Sequence, residues 1–470
     1  MGPAEILSRY AAALERRRPI EPVWQSCYDH TLPRTSEAAA LFDATAADAA
    51  EQLAASLLAE LTPPWSRWFG LAPARPVEDS PDGRAVAEAL EDVAVTLQGH
   101  FDRSNFVIEM HQAFLDLVVA GTGVLLVEEA PLGETSAFRF TAVPIRTAVL
   151  EEGPDGRLST IFRQAKLAPE AIRARFPGAP LPREAEDGQP LTVLEAVWPE
   201  AGTARHAVLL AADPDRPVVL AEGHFADQPA IAFRWLKVPG ETYGRGPVMK
   251  ALPDIRTANK VVELVLKNAS IAATGIWQAE DDGVLNPATV KLVPGAIIPK
   301  AQGSAGLTPL AAPGDFDVSQ LVLQDLRTRI RGALLADRIG MPRESKRTAT
   351  EVLERAAETA RLLGATYGRL QAELLTPLVT RCLGILRRRG EIPPLLLDGC
   401  EVALRYESPL ARVQGRADAA NTLLFLQAVG SLGGAAAAQV DAAAATRWLA
   451  RTLGAPAEVL VPLASPANPE

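Results

Sequence analysis

Residues 348 to 389 constrain this chain more than any other stretch. Apolar or small residues fall at Val352, Ala356, Leu363, Tyr367, Leu370, Leu374, Leu378, Cys382 and Ile385. The spacings are threes, fours and one seven, the period of a helix that buries a single face. Thr348 followed by Glu351 is a capping-box pattern, so the helix start is well signalled. At about 1.5 Å per residue such a helix spans roughly 60 Å, more than an ordinary compact domain is wide. A helix of that reach needs a partner surface along most of its length. The expectation is a building block for something extended and not a pocket-bearing enzyme. Gly364, Gly368 and Pro377 lie inside it and would otherwise be costly, so a kink or close packing is expected there.

The rest of the chain reads as α+β, mainly α. Short amphipathic helices are expected over 3–18, 46–61, 84–98 and 105–119, the second stopped by Pro63-Pro64. After Gly121-Thr-Gly123 the pattern turns to strands: 124–127, 138–143, 148–151, 159–164, 192–198, 207–210, 218–221 and 230–235, with one helix at 169–175. Helical signal returns over 248–276, gives way to a Gly/Pro-punctuated insert, and resumes over 319–340. Two helices flanking a small insert predict an antiparallel hairpin with a knob at its tip. Narrow apolar stripes suit packing side by side with further copies in a ring. Alanine-rich helices are expected around 417–429 and 435–453.

Composition removes several classes. With 48% hydrophobic and 22% charged residues the 470-residue chain is a folded protein. Its net charge of −10 argues against a protein that coats DNA, less against one that lets DNA pass. Cys27, Cys382 and Cys400 are unpatterned, so buried free thiols in a reducing compartment are expected. The first residues, MGPAEILSRY, show no basic region followed by an apolar one, so no signal peptide is expected. No apolar run of 18 residues predicts a membrane span.

Several short segments, in one order along the chain, carry a resemblance. They are Trp24-Gln-Ser-Cys-Tyr28-Asp, Leu32-Pro33, Phe42-Asp-Ala-Thr-Ala46, Leu61-Thr-Pro-Pro64 and Arg67-Trp-Phe69. Gly240-Glu-Thr-Tyr-Gly-Arg-Gly-Pro247, Ala251-Leu-Pro-Asp-Ile255, Asp282-Gly283 and Pro294-Gly-Ala-Ile297 follow. Arg347-Thr-Ala-Thr-Glu-Val352, Gly368-Arg-Leu-Gln371 and Ser408-Pro-Leu-Ala-Arg412 with Gln414 complete the series. Together they resemble the head-to-tail connector, or portal, proteins of short-tailed bacteriophages, over roughly residues 20 to 415. The tail after about 415 departs from that pattern.

That resemblance implies an elongated subunit that assembles as a dodecameric ring around a DNA channel. It implies a wing over 1–245 (helical over 1–120, β-rich over 121–240), a stem of helices 246–276 and 319–340, and a clip over 277–318. A tunnel loop over 341–347, a long wing helix over 348–400 and a C-terminal crown over 401–470 complete the implied subunit. The implied partners are further copies, double-stranded DNA met transiently and without sequence preference, a terminase motor, tail adaptor and tail proteins, and capsid and scaffolding proteins. No cofactor and no membrane are implied. The implied location is the capsid vertex of the virion, with assembly in the host cytoplasm.

Candidate site residues follow. Between Leu321 and Arg347 seven basic residues face three acidic ones, in a chain that is otherwise acidic. Cations on a channel wall would touch phosphate without reading sequence. The tunnel-loop candidates are Arg343, Glu344, Ser345, Lys346 and Arg347. The stem candidates are Lys260, Lys267, Arg327, Arg331 and Arg338, and Trp277, Asp281 and Asp282 are candidates for clip or subunit contact. A solvated helix face or inter-subunit salt bridges would explain the same charges.

No catalytic or metal-binding set stands out. Gly244-Arg-Gly246-Pro-Val-Met-Lys250 lacks phosphate-loop spacing and reads as a turn entering a helix. With no nucleotide loop, the energy for DNA movement is expected from a separate terminase. His30, His100, His111, His206 and His224 show no ligand spacing. Trp65, Trp68 and Phe69 read as a buried anchor after a helix stop. Two rival readings stay open at this point: an enzyme with a β-rich catalytic domain over 124–235, and a helical adaptor without a channel.

Overall fold

The computed structural model describes residues 1–32, 41–64, 66–73, 81–178, 188–210, 217–274, 277–279, 302, 307–309, 316–336, 364–393, 402–406, 409–432 and 439–453. The first part is a layer of five helices: α1 (Pro3–Arg17), α2 (Glu21–Thr31), α3 (Thr45–Leu61), α4 (Pro81–Asp102) and α5 (Phe106–Ala120). Helix α5 is apolar on nearly every side, from Met110 through Phe114 and Leu117 to Val119, and is buried accordingly. It packs on α2 and α3. Gly121 ends it in the left-handed region (φ 78°) and turns the chain into the first sheet.

Two antiparallel sheets follow. The smaller has the order β3 (Phe138–Ala142), β2 (Thr122–Glu129), β9 (Ala230–Arg234). The larger is a meander of β4 (Ala148–Glu152), β5 (Leu158–Leu167), β6 (Leu191–Glu200), β7 (Thr203–Leu210) and β8 (Val218–Phe225). Between β6 and β7, Ala201 and Gly202 both take positive φ (49° and 80°), the geometry of a two-residue hairpin turn. Alternation along the strands gives the larger sheet two apolar faces. Helix α1 covers one through Ile6 and Ala13 against Phe162, Leu194, Ala196 and Leu209. Helix α6 (Pro169–Arg175) covers part of the other through Ile172 against Val193, Val208 and Leu210.

A long helix, α7 (Pro247–Thr274), leads to the short strands β10 (Trp277–Ala279) and β11 (Leu307–Pro309), which pair antiparallel. Helix α8 (Phe316–Ala333) returns and packs on α7. Helix α9 (364–370) runs into a π-turn, Gln371–Leu375, and then into α10 (Thr376–Arg389). Strand β12 (Val402–Tyr406) closes a long-range antiparallel pair with β1 (Phe69–Pro73), and α11 (Pro409–Ser431) packs on α12 (Ala442–Leu453).

The periodic stripe of the sequence is buried wherever it is described. Tyr367, Leu370, Leu374, Leu378, Cys382 and Ile385 are all in the main core, and residues 348–363 lie outside the described residues. The partner of the described half is this same subunit, because the π-turn meets β9 and α10 meets β2 and α4. The expected partner surface is thus supplied, for the described half, within the subunit. The π-turn sits just before Pro377, which has no N–H to give an α-helical partner, and the Thr376 N–H bonds the Gln371 carbonyl five residues back. A methyl group added at Gly364 or Gly368 would meet nothing, so close packing is not what those glycines serve. Trp68 and Phe69 are buried against Phe101 and Phe106, the expected anchor, and Trp65 lies outside the described residues.

Candidate functional site

Among the described residues, the α7/α8 pair is one part of the molecule that its own core does not absorb; α11, with Leu424 and Phe425 exposed, is another. Arg329, late in α8, meets Asp254, early in α7, at 2.8 Å, while the far ends lead to β10 and β11. The helices are therefore antiparallel. At the root, Val248, Leu252, Ile255 and Ala258 of α7, Leu326 and Ile330 of α8, and Leu334 just past its end enter the main core. Beyond Ala258, no α7 residue through Ser270 is buried, and none of residues 320–325 is. Leu264, Leu266, Leu321 and Val322 are between 45% and 74% exposed. A lone subunit leaves these four large aliphatic side chains of the hairpin in water.

The charged candidates divide into paired and open positions. Lys260 and Lys267 both bond Glu263, at 2.9 and 2.5 Å, from exposed positions three and four residues away on α7. The hydrogen bonds from Lys267 and Lys260 hold the Glu263 carboxyl below its ordinary range. Arg327 does not stand free: its Nε and Nη2 both reach Asp43 Oδ2 at 2.8 Å. Arg331 is exposed in the last turn of α8. Trp277 is the first residue of β10, paired with Pro309. Arg338, Asp281, Asp282 and the loop Arg343, Glu344, Ser345, Lys346 and Arg347 lie outside the described residues.

Two joints fix the root of this hairpin. The first is Asp43. Its Oδ1 accepts the Thr45 N–H at 3.0 Å at the start of α3, while Oδ2 accepts Arg327. Burial pushes its carboxyl up, but the bonds from Thr45 and Arg327 outweigh that and hold it below the ordinary value. The backbone N–H groups of Phe42 and Asp43 both donate to Asn259 Oδ1, at 2.7 and 3.1 Å. The second joint is backbone on backbone. A Cβ on Gly121 would overlap the Gly244 carbonyl and the Gly246 nitrogen, and one on Gly246 would stand 2.6 Å from the Val118 carbonyl. The Gly244–Gly246 stretch is thus the tight turn into α7.

A third feature, Arg234 with Glu373, was not visible in the sequence. Arg234 is fully buried on β9, and Glu373 sits nearly buried in the π-turn. Glu373 Oε1 accepts Arg234 Nη2 at 2.7 Å, and its Oε2 accepts the Arg234 backbone N–H at 3.0 Å. Gly156 O, Thr242 O and Glu152 take the remaining guanidinium donors. The only sequence signal is a guanidinium closing an otherwise apolar strand, Ala230–Arg234. His100 is likewise structural: its Nδ1 accepts the Ala137 N–H at 3.1 Å, so Nε2 carries the proton toward Glu391 at 2.7 Å.

Comparison with known proteins covers nearly the whole chain. Residues 3–460 match the family described as bacteriophage head to tail connecting protein. The probable portal protein of Bordetella phage BPP-1 is 25% identical, over 97% of this chain and 88% of its own. The portal protein of Escherichia phage T7 is 23% identical, covering 84% and 76%, and that of Salmonella phage epsilon15 is 24% identical, covering 87% and 79%. Among solved structures, a chain from the neck of an empty gene transfer agent particle aligns at 12% identity, over 80% of this chain and 84% of that chain. Its TM-score is 0.36, too slight a likeness to build on. With a family match from end to end and portal proteins of three phages among its relatives, the chain belongs to the bacteriophage head-to-tail connecting proteins, a portal protein of the virion.

Proposed function

We propose that copies of this chain stand side by side as a ring at the capsid vertex, around a channel that passes double-stranded DNA during packaging and ejection. The observation that carries the reading is the α7/α8 hairpin. Its root is fixed in the subunit core, whereas its outer half leaves Leu264, Leu266, Leu321 and Val322 in solvent. Neighbouring hairpins in a ring would cover that apolar surface and leave the polar face toward the axis. Lys260, Lys267 and Arg331 are the described candidates for that face, and Arg343, Lys346 and Arg347 are candidates from the neighbouring loop.

Mixed signs suit this role. Glu263 neutralises one of the two lysines it bonds on α7, which reduces the charge available to release counterions and favours sliding over holding. The tip around β10 and β11, with Trp277, Asp281 and Asp282, is the proposed meeting point for a packaging motor and later for tail components. Energy would come from that motor, and this subunit would act without catalysis.

Native mass spectrometry and negative-stain imaging of the purified full chain test the reading. Twelve copies of a 50.0 kDa chain predict an annulus of roughly 600 kDa with a central hole. A compact monomer or dimer, or an assembly without a hole, would sink it.

A further inference from the structure

We infer, on the ring reading above, that the clamp of Asp43 on Asn259 and Arg327 sets the angle of the hairpin against the N-terminal helices, and through it the number of copies at which the ring closes.

The apolar contacts at the hairpin root hold it in place but are non-directional. Direction comes from the tight Gly121–Gly246 turn at the start of α7 and, further along, from polar bonds. Asp43 and its neighbour Phe42 join three helices at one point: α3 through Thr45, α7 through Asn259 and α8 through Arg327. Asp43 is buried whereas Arg327 is partly exposed, so the carboxylate is held rigidly while the guanidinium reaches in to it. Two further polar links to the N-terminal helices among the described residues are weaker anchors. Arg256 meets Ser26 at an exposed site, and Gln52 meets the Ala336 carbonyl beyond the end of α8.

Ring closure is sensitive to small angles. Rings of about twelve and about thirteen copies differ by roughly 2–3° in the rotation between neighbours. The end of α7 lies about 20 Å beyond Asn259, so a tilt of that size moves it by only about 1 Å. A residue that fixes the root therefore selects copy number without touching the axis or the neighbouring subunit.

The test uses purified full-length chain with Arg327→Gln, Asn259→Ala and Arg327→Lys. Native mass spectrometry reads the distribution of ring sizes, and a thermal melt of each sample reads stability. Arg327→Gln and Asn259→Ala should raise the minor ring sizes about threefold or more relative to the main one. Arg327→Lys, which keeps the charge, should restore most of the original distribution. A lowered melting temperature with an unchanged distribution in both Arg327→Gln and Asn259→Ala would overturn the inference and leave the clamp as plain stabilisation. Folded variants that no longer associate would overturn it too, since the clamp would then govern association and not angle. If Arg327→Gln does not fold, Asn259→Ala, which leaves the ion pair in place, decides the matter alone. An unmodified chain that forms no ring refutes the ring reading itself, and that failure shows before any variant is made.

Discussion

Replacing Glu373 with glutamine should be among the most damaging single changes that add no bulk. Glu373 takes two bonds from the Arg234 guanidinium and one from its backbone N–H, at 2.7, 3.3 and 3.0 Å, plus one from Arg369 at 3.3 Å. Glutamine keeps one acceptor oxygen, turns the other position into a donor, and leaves the fully buried Arg234 charge without its main counterpart. Breaking a buried pair from one side costs about 3–5 kcal/mol. Glu152, at 3.3 Å and partly exposed, partly compensates, so the lower end, about 3 kcal/mol, is expected. That is a change of about a hundredfold in a local opening equilibrium. Hydrogen exchange should show it as a loss of protection of that size in β9 and the π-turn, with α1 and the larger sheet little changed. Urea unfolding of the free subunit should show a lower midpoint. The double change Arg234→Met with Glu373→Met removes both charges and should recover much of the loss. If Glu373→Gln lowers protection in β9 by less than about threefold, the pair is not what ties that strand to the π-turn.

Other outcomes follow from the same contacts. Asp116 is buried, accepts the Tyr28 hydroxyl at 2.7 Å and the Ile145 N–H at 3.2 Å, and burial pushes its carboxyl up to about 6. The folded state therefore holds this proton more tightly than the unfolded one. Its contribution is full below about pH 4, falls as pH rises toward 6, and is flat above, a span of up to about 3 kcal/mol. Stability curves of Asp116→Asn should lack that slope between pH 4 and 6. Gly121→Ala would force a side chain onto Gly244 and Gly246 at a positive φ, and should cost more than about 3 kcal/mol or abolish soluble expression. On the ring reading proposed above, and not from any described contact, charge reversal of Arg343 and Arg347 should leave rings intact by electron microscopy but impair DNA packaging or retention in a phage complementation assay. Normal packaging would remove that loop from the mechanism.

Much of the fold was legible because it is local. The eight strands between Val124 and Trp235 were readable from β-branched runs broken by turn residues, and all eight form. Helix α2 was missed because Pro22 hides its start, although proline is tolerated in a first helical turn. The β1–β12 pair was missed because its strands are more than 300 residues apart and no turn signal joins them. The site was legible only in part. The hairpin and its charges could be read from periodicity and composition. That Arg327 serves Asp43, and that Glu373 serves Arg234, depends on pairings across long stretches of chain, which no spacing rule encodes.

The inward-facing stripe of residues 367–385 carries a last consequence. Because this helix finds its mate within its own polypeptide, its described half is packed before any neighbour arrives. On the ring reading, residues 367–385 of a free subunit are already packed, so hydrogen exchange there should be the same in the free subunit and in the ring.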